Sequence, residues 1–171
     1  MKKPPEVEQL AAEVQKMFDV LNDESDVGCV VVGAAFLDAE LGALLSLKLI
    51  DSPESDQLLG GALGNFSTRA QVAYCLRLIR RDQYQDLKEI AKIRNQFAHS
   101  HLLLSFADPS IRESCDRLNQ WRTILHGENE AVPASVSEEW RTRRARNQFN
   151  LSVVFGANWL LMEAMSAKMG R

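Results

Sequence analysis

From Val27 to Ile50 the chain is apolar around almost the whole circumference a helix would present, and only Asp38, Glu40 and Lys48 interrupt it. As one helix the segment would be about 36 Å long. A helix with no polar side needs neighbours over most of its surface, so the segment predicts the central member of a helical bundle. Its three charged residues break the uninterrupted run that a bilayer-spanning helix requires, so no membrane association is expected. Val30-Val31-Val32 would also suit a strand, but no second segment of comparable pattern is present to pair with it.

The flanking segments carry narrower apolar stripes. Glu6 to Leu21 places Val7, Leu10, Val14, Met17, Phe18 and Leu21 at three- and four-residue steps, which predicts an amphipathic helix ending at Asn22 to Asp26. Beyond Asp51, Ser52 and Pro53 suit the cap and first position of a short helix, Glu54 to Leu59. Gly60 to Asn65 is a glycine-rich turn. It lacks the Gly-Lys-Ser/Thr ending and the preceding strand of a phosphate loop, so it reads as close backbone packing. Further helices are expected over Ser67 to Arg80, with Val72, Ala73, Leu76 and Ile79 inward, over Gln83 to about His99, capped by Asp82, and over Pro109 to Trp121. His126 to Ser137 holds Gly127 and Pro133 among polar residues and reads as a loop before a last long helix running from Ser137 toward Lys168. The first five residues read as a flexible N-terminus. The expectation is an all-α single-domain helical bundle over residues 1–171, of about six to seven helices around one central apolar helix.

A chain of 171 residues with 46% hydrophobic content is long enough to bury a core without metal or disulfide support. Its formal charge of −3 argues against a dedicated duplex-DNA binder, whose footprint is a basic face. Cys29, Cys75 and Cys115 lie far apart with no C-x-x-C pair, as expected of buried free thiols in a reducing cytoplasm. The N-terminus has no apolar h-region of a signal peptide, which also points to the cytoplasm. His101 follows His99 by two positions, so on a helix the rings splay apart. No metal site and no cofactor is expected. Trp121, Trp140 and Trp159 read as core or interface anchors.

Chemistry concentrates in Arg94-Asn95-Gln96-Phe97-Ala98-His99. Asn95 and His99 share a helix face, while Arg94 lies about 140° from His99. If Arg94 and His99 converge, the pair suits metal-free phosphodiester cleavage: His99 moves the proton of a ribose 2′-hydroxyl and Arg94 stabilises charge on the phosphate. The structural alternative has Arg94 in a salt bridge, Asn95 capping a backbone group and His99 favouring a helix C-terminus. Arg141, Arg143, Arg144 and Arg146 form the dense basic run, which either tracks a phosphate backbone or is a solvated face paired with Glu138 and Glu139. Asp38 and Glu40 lie in the most apolar helix and need partners, with Arg69 or Arg94 as candidates. They either form structural ion pairs or support the site by orienting Arg94 and tuning His99. Arg69 joins the arginines of the basic run as a candidate binding residue. Arg-Asn-Gln-Phe recurs at Arg146 to Phe149 with Leu151 in place of His99, and the flanks differ, so this reads as coincidence.

Phe36-Leu37-Asp38-Ala39-Glu40-Leu41, Gly61-Ala62-Leu63-Gly64-Asn65-Phe66-Ser67-Thr68-Arg69, Ala73-Tyr74-Cys75-Leu76, Tyr84-Gln85-Asp86-Leu87 and Ile93 to His99 follow one another in an order that resembles the mannitol operon repressor family of bacterial all-helical proteins. The likeness covers roughly Val27 to Leu118, and Gly-x-Leu-Gly followed by Ser and Arg is its more specific part. It implies negative regulation of carbohydrate-operon expression. Arg94, Asn95 and His99 also look like the R-x4-6-H motif of the HEPN superfamily, helical domains that include metal-independent ribonucleases. That resemblance implies Arg94 and His99 as catalytic residues, Asn95 as support, RNA as substrate and a homodimer in which two motifs face one cleft. No turn is followed by a basic recognition helix, so direct sequence-specific DNA binding is not expected and regulation would run through protein or RNA contacts. A scaffold that binds a partner helix is the third reading.

Overall fold

The computed structural model describes residues 7–100, 104–119 and 136–169. Among these residues the secondary structure is entirely helical: α1 (Val7–Asp23), α2 (Asp26–Ser46), α3 (Pro53–Gly60), α4 (Phe66–Cys75), α5 (Arg81–His99), α6 (Pro109–Asp116) and a long α7 (Glu138–Met169). The expected flexible N-terminus, His101, Trp121 and most of the expected loop from His126 lie outside the described residues.

Only Glu24 and Ser25 separate α1 from α2, and this corner is held by charge. Ser25 Oγ accepts from the Gly28 amide at 3.1 Å, capping α2. Arg146 of α7 donates to the carbonyls of Leu21 (3.0 Å) and Asn22 (3.2 Å), the orphan acceptors at the end of α1, and to that of Glu24. The same guanidinium pairs with Asp26 Oδ1 at 2.7 Å, while Asp26 Oδ2 takes the amide of Phe106 at 3.0 Å. One arginine and one aspartate thus join α1, α2, α7 and the segment before α6.

Helix α2 is central, as its apolarity predicts. It packs against α1, α4, α5 and α7, burying Cys29, Val30, Gly33, Ala34, Leu37, Leu41, Leu44 and Leu45. It meets α7 tightly at Gly33, where an added Cβ would lie 3.2 Å from both Phe149 and Val153. Its outer face, however, is not covered. Val27, Val31, Ala35, Ala39 and Ala43 recur every fourth residue and are all exposed. By length and composition α2 could cross a membrane, but the bundle encloses its remaining faces.

Phe106 is fully buried between Phe97 of α5, at 6.0 Å between ring centroids, and Phe149 of α7, at 5.7 Å. The two Arg-Asn-Gln-Phe copies therefore send their phenylalanines to one point in the core.

Several helix limits differ from the sequence expectation, each for a local reason. Helix α2 stops at Ser46, not Ile50, in a turn with Lys48 N bonded to Leu45 O at 2.9 Å, leaving Ile50 exposed. Helix α4 stops at Cys75, well short of Arg80, because Arg77 adopts a left-handed backbone (φ 56°) and the Leu78 amide returns to Ala73 O at 2.9 Å. Leu76 is consequently exposed, whereas Ile79 still reaches the core from the connecting turn. Cys75 is exposed as well, contrary to the expectation of three buried thiols; Cys29 and Cys115 are buried. Cys29 Sγ donates to Asn150 Oδ1 at 2.9 Å, and burial pushes its thiol up to about 12. Asp82 does not cap α5. The cap is Arg80, whose amide is taken by Gln83 Oε1 at 2.7 Å, and Asp82 sits inside the first turn paired with Arg80 at 2.9 Å. Helix α6 ends at Asp116, before Trp121, because the buried carboxylate of Asp86 captures the amide and side chain of Asn119 at 2.8–3.0 Å.

Replacing Phe106 by Ala removes the ring on which α5 and α7 meet. The expected loss is about 3–5 kcal/mol of unfolding free energy, read as a lower midpoint in a urea titration. A loss under about 1 kcal/mol would show that α5 and α7 do not depend on this contact.

Candidate functional site

Helices α4 and α5 form an antiparallel pair with an open groove of about 570 Å³ along their outer side. Lys88, Lys92, Asn95 and His99 stand in it at successive four-, three- and four-residue steps, which keeps them on one face of α5. Ser67 and Gln71, one turn apart on α4, make the opposite wall, and Ala91 also lines the groove. Among the described residues no carboxylate lines the groove. Tyr84 closes one end with its ring stacked on Tyr74 (4.8 Å between centroids, 5° between planes), and Lys88 Nζ stands 5.7 Å from its centroid. Gln96 also lines the groove, and its enclosed Oε1 accepts no hydrogen bond among the described residues.

The sequence-derived candidates divide between this groove and the scaffold. Asn95 and His99 open into the groove and are exposed. Arg94 is half-buried and is not part of its lining, in keeping with its angular offset on the helix. Among the described residues no hydrogen bond or ion pair joins Arg94 to His99, or either of them to Asp38 or Glu40.

Arg69 is the partner of Asp38, at 2.9 Å. Its guanidinium also donates to the carbonyls of Leu63 (2.7 Å), Leu59 (3.3 Å) and Asp38 (3.3 Å), fastening the glycine-rich turn onto α2. In that turn a Cβ on Gly64 would meet Gly60 O at 2.6 Å, so the backbone approach excludes any side chain. The Gly-x-Leu-Gly…Arg pattern is thereby explained as architecture, with Arg69 engaged inside the fold. Glu40 is half-buried, and burial raises its carboxyl above the usual range.

The basic run of α7 is likewise distributed. Arg146 holds the α1–α2 corner, Arg141 faces Glu138 at 3.8 Å, and Arg144 lies over the Trp140 ring at 5.6 Å. Arg143 is exposed. Arg141, Arg144 and Trp140 border a smaller groove of about 320 Å³ against α6, where Arg112, Glu113 and Asp116 mix the charge. Sequence reasoning missed Lys88 and Lys92, although the repeat of polar residues at positions 88, 92, 95 and 99 was visible in the apolar period of α5.

Comparison with known proteins identifies the group. The family model described as mannitol repressor matches residues 56–154, more than half of the chain and all of the α4–α5 groove. The chain belongs to the mannitol repressor family. The match begins later and extends further than the sequence resemblance suggested, leaving Phe36 to Leu41 outside and taking in the first half of α7. No curated protein matches the chain. Among solved structures, the X-ray structure of the MtlR-HPr complex from Escherichia coli shares the helical fold, with a TM-score of 0.62 and 18% identity over 90% of this chain and 98% of that one.

Arg69→Ala deletes an ion pair and three hydrogen bonds to carbonyls at one stroke. The expected cost is about 2–3 kcal/mol in stability, with amide exchange accelerated most at the turn around Leu63. Unchanged exchange there would remove Arg69 from its holding role.

Proposed function

We propose that this member of the mannitol repressor family is a negative regulator of carbohydrate-operon expression that acts in the cytoplasm through contact with a protein partner. The family match over residues 56–154 carries the reading. Two features support it. The structural neighbour from Escherichia coli is described as a complex with HPr, a protein. In α4, the helix that follows the glycine-rich turn, the single arginine is held inside the fold, so this helix has no basic side chain free to read a DNA groove.

The endoribonuclease reading has less to stand on, since Arg94 lies outside the groove that receives His99 and their joint action would need a second chain. RNA as a target rests on that same pair.

A homodimer fits the outer face of α2. Val27, Val31 and Ala35 lie within about 80° of one another on that helix, so under twofold symmetry two copies can set this exposed apolar strip against itself. Deleting the gene in its host is expected to raise mannitol-operon transcript several-fold, and the purified chain is expected to bind the host's HPr protein in calorimetry. Unaltered transcript together with no heat of binding would defeat the regulatory reading. Ala35→Arg is expected to turn the dimer into monomer in sedimentation equilibrium without changing helicity, and wild-type protein that sediments as monomer would defeat the α2 interface.

A further inference from the structure

We propose that the α4–α5 groove is a docking site for an acidic helical segment of a partner protein, held chiefly by Lys88 and Lys92. The inference rests on the reading that this protein works through a protein partner, and it names the surface and the chemistry of contact.

Charge is the first ground. Acidic residues outnumber basic ones in the chain, 23 to 20, yet among the described residues the groove lining contains two lysines, a histidine and no carboxylate. Lys88 and Lys92 are both exposed, and the one described ion pair between them and the chain's own acids is that of Lys92 with Glu89 at 3.9 Å. With that one long pair as its described carboxylate contact, the row attracts further anionic charge from outside the chain.

Spacing is the second. Lys88 and Lys92 stand about 6 Å apart along the axis of α5, and His99 about 10 Å further on. Carboxylates at i, i+4 and i+11 of a neighbouring helix repeat that interval, because both helices share one rise per residue. Ala91, between the two lysines, leaves room for a second backbone, and the Ser67 and Gln71 side chains on α4 supply polar contacts to its other flank.

The aromatic content decides between an acidic peptide and RNA. Single-stranded RNA is gripped by free ring faces on which bases stack. Tyr84, the one aromatic residue in the lining among the described residues, already stacks on Tyr74 and carries Lys88 over its ring. The groove therefore offers charge and hydrogen bonds along a helix-length track without a stacking platform.

The test titrates the isotope-labelled full chain with three probes while amide shifts are followed by NMR. These are an alanine-rich helical peptide with Glu at i, i+4 and i+11, its Gln counterpart, and a single-stranded RNA of similar charge. The Glu peptide is expected to shift amides of α4 and of α5 from Lys88 to His99 saturably, and the Gln peptide to bind about tenfold or more weakly. Lys88→Gln with Lys92→Gln is expected to weaken the Glu peptide at least as much, at unchanged helicity, while Arg141→Gln with Arg143→Gln leaves it unaltered. Shifts centred elsewhere, equal binding of the Gln peptide, or RNA filling the groove in preference to the Glu peptide would each overturn the proposal. A complex with the host's HPr protein that forms but is indifferent to the lysine changes would leave the regulatory reading standing and assign that partner to another face. Absence of any partner complex would defeat the regulatory reading, and the peptide titration would still decide the groove.

Discussion

The bundle depends on the contact between Arg146 and Asp26. Helix α1 ends and α2 begins across two residues, which leaves carbonyls at the end of one helix beside the amides at the start of the next. A single guanidinium from α7 reaches the carbonyls of Leu21, Asn22 and Glu24, and its charge is balanced by Asp26 at 2.7 Å. Because Asp26 also fixes the amide of Phe106, the clamp sets the height at which that ring enters the core. Arg69 does the same work further along α2, through Asp38 and the carbonyls of the glycine-rich turn. The central helix is thus fastened at its start and beyond its middle by arginines whose side chains are only about one-fifth exposed.

This explains why two motif arginines that invite a phosphate-binding reading do not serve one here. An arginine's fork satisfies several carbonyls at once, and a half-buried helix junction needs that as much as a phosphate does. Sequence alone does not separate the two uses, because the acceptors of Arg146 lie more than a hundred residues away in the chain. The architecture was more legible. The central position of α2, the Ser52-Pro53 start of α3 and the inward stripe of α5 follow from local periodicity and capping. What escaped was set by tertiary contacts or by backbone choices without a residue signature: the left-handed Arg77 that shortens α4, and the buried Asp86 that draws in Asn119 beyond α6.

The repeated Arg-Asn-Gln-Phe string shows how one short pattern serves two environments. In both copies the phenylalanine packs on Phe106, while the asparagine before it is exposed. The arginines diverge. Arg146 has a helix corner within reach, and Arg94 has no described partner. Gln148 bonds to Asp116 at 3.2 Å, whereas Gln96 Oε1 has none. Equal sequence thus meets unequal surroundings in the two copies.

That difference bears on how a regulator of this family could be built. Helix α5 places its apolar face, Leu87, Ile90, Ile93 and Phe97, in the core, so its opposite face is held on a rigid element. The groove residues gain position from that packing without contributing to it. Their charges can therefore change with little cost to the fold, and contacts made there are electrostatic and exposed, hence reversible and sensitive to salt. A surface of this kind suits exchange of partners better than permanent assembly. Permanent assembly, as proposed for the exposed apolar strip of α2, would instead rest on burial of apolar area, a contact that salt does not weaken. On the proposed reading the two faces would divide the work, one surface holding copies together and the other meeting a partner that comes and goes.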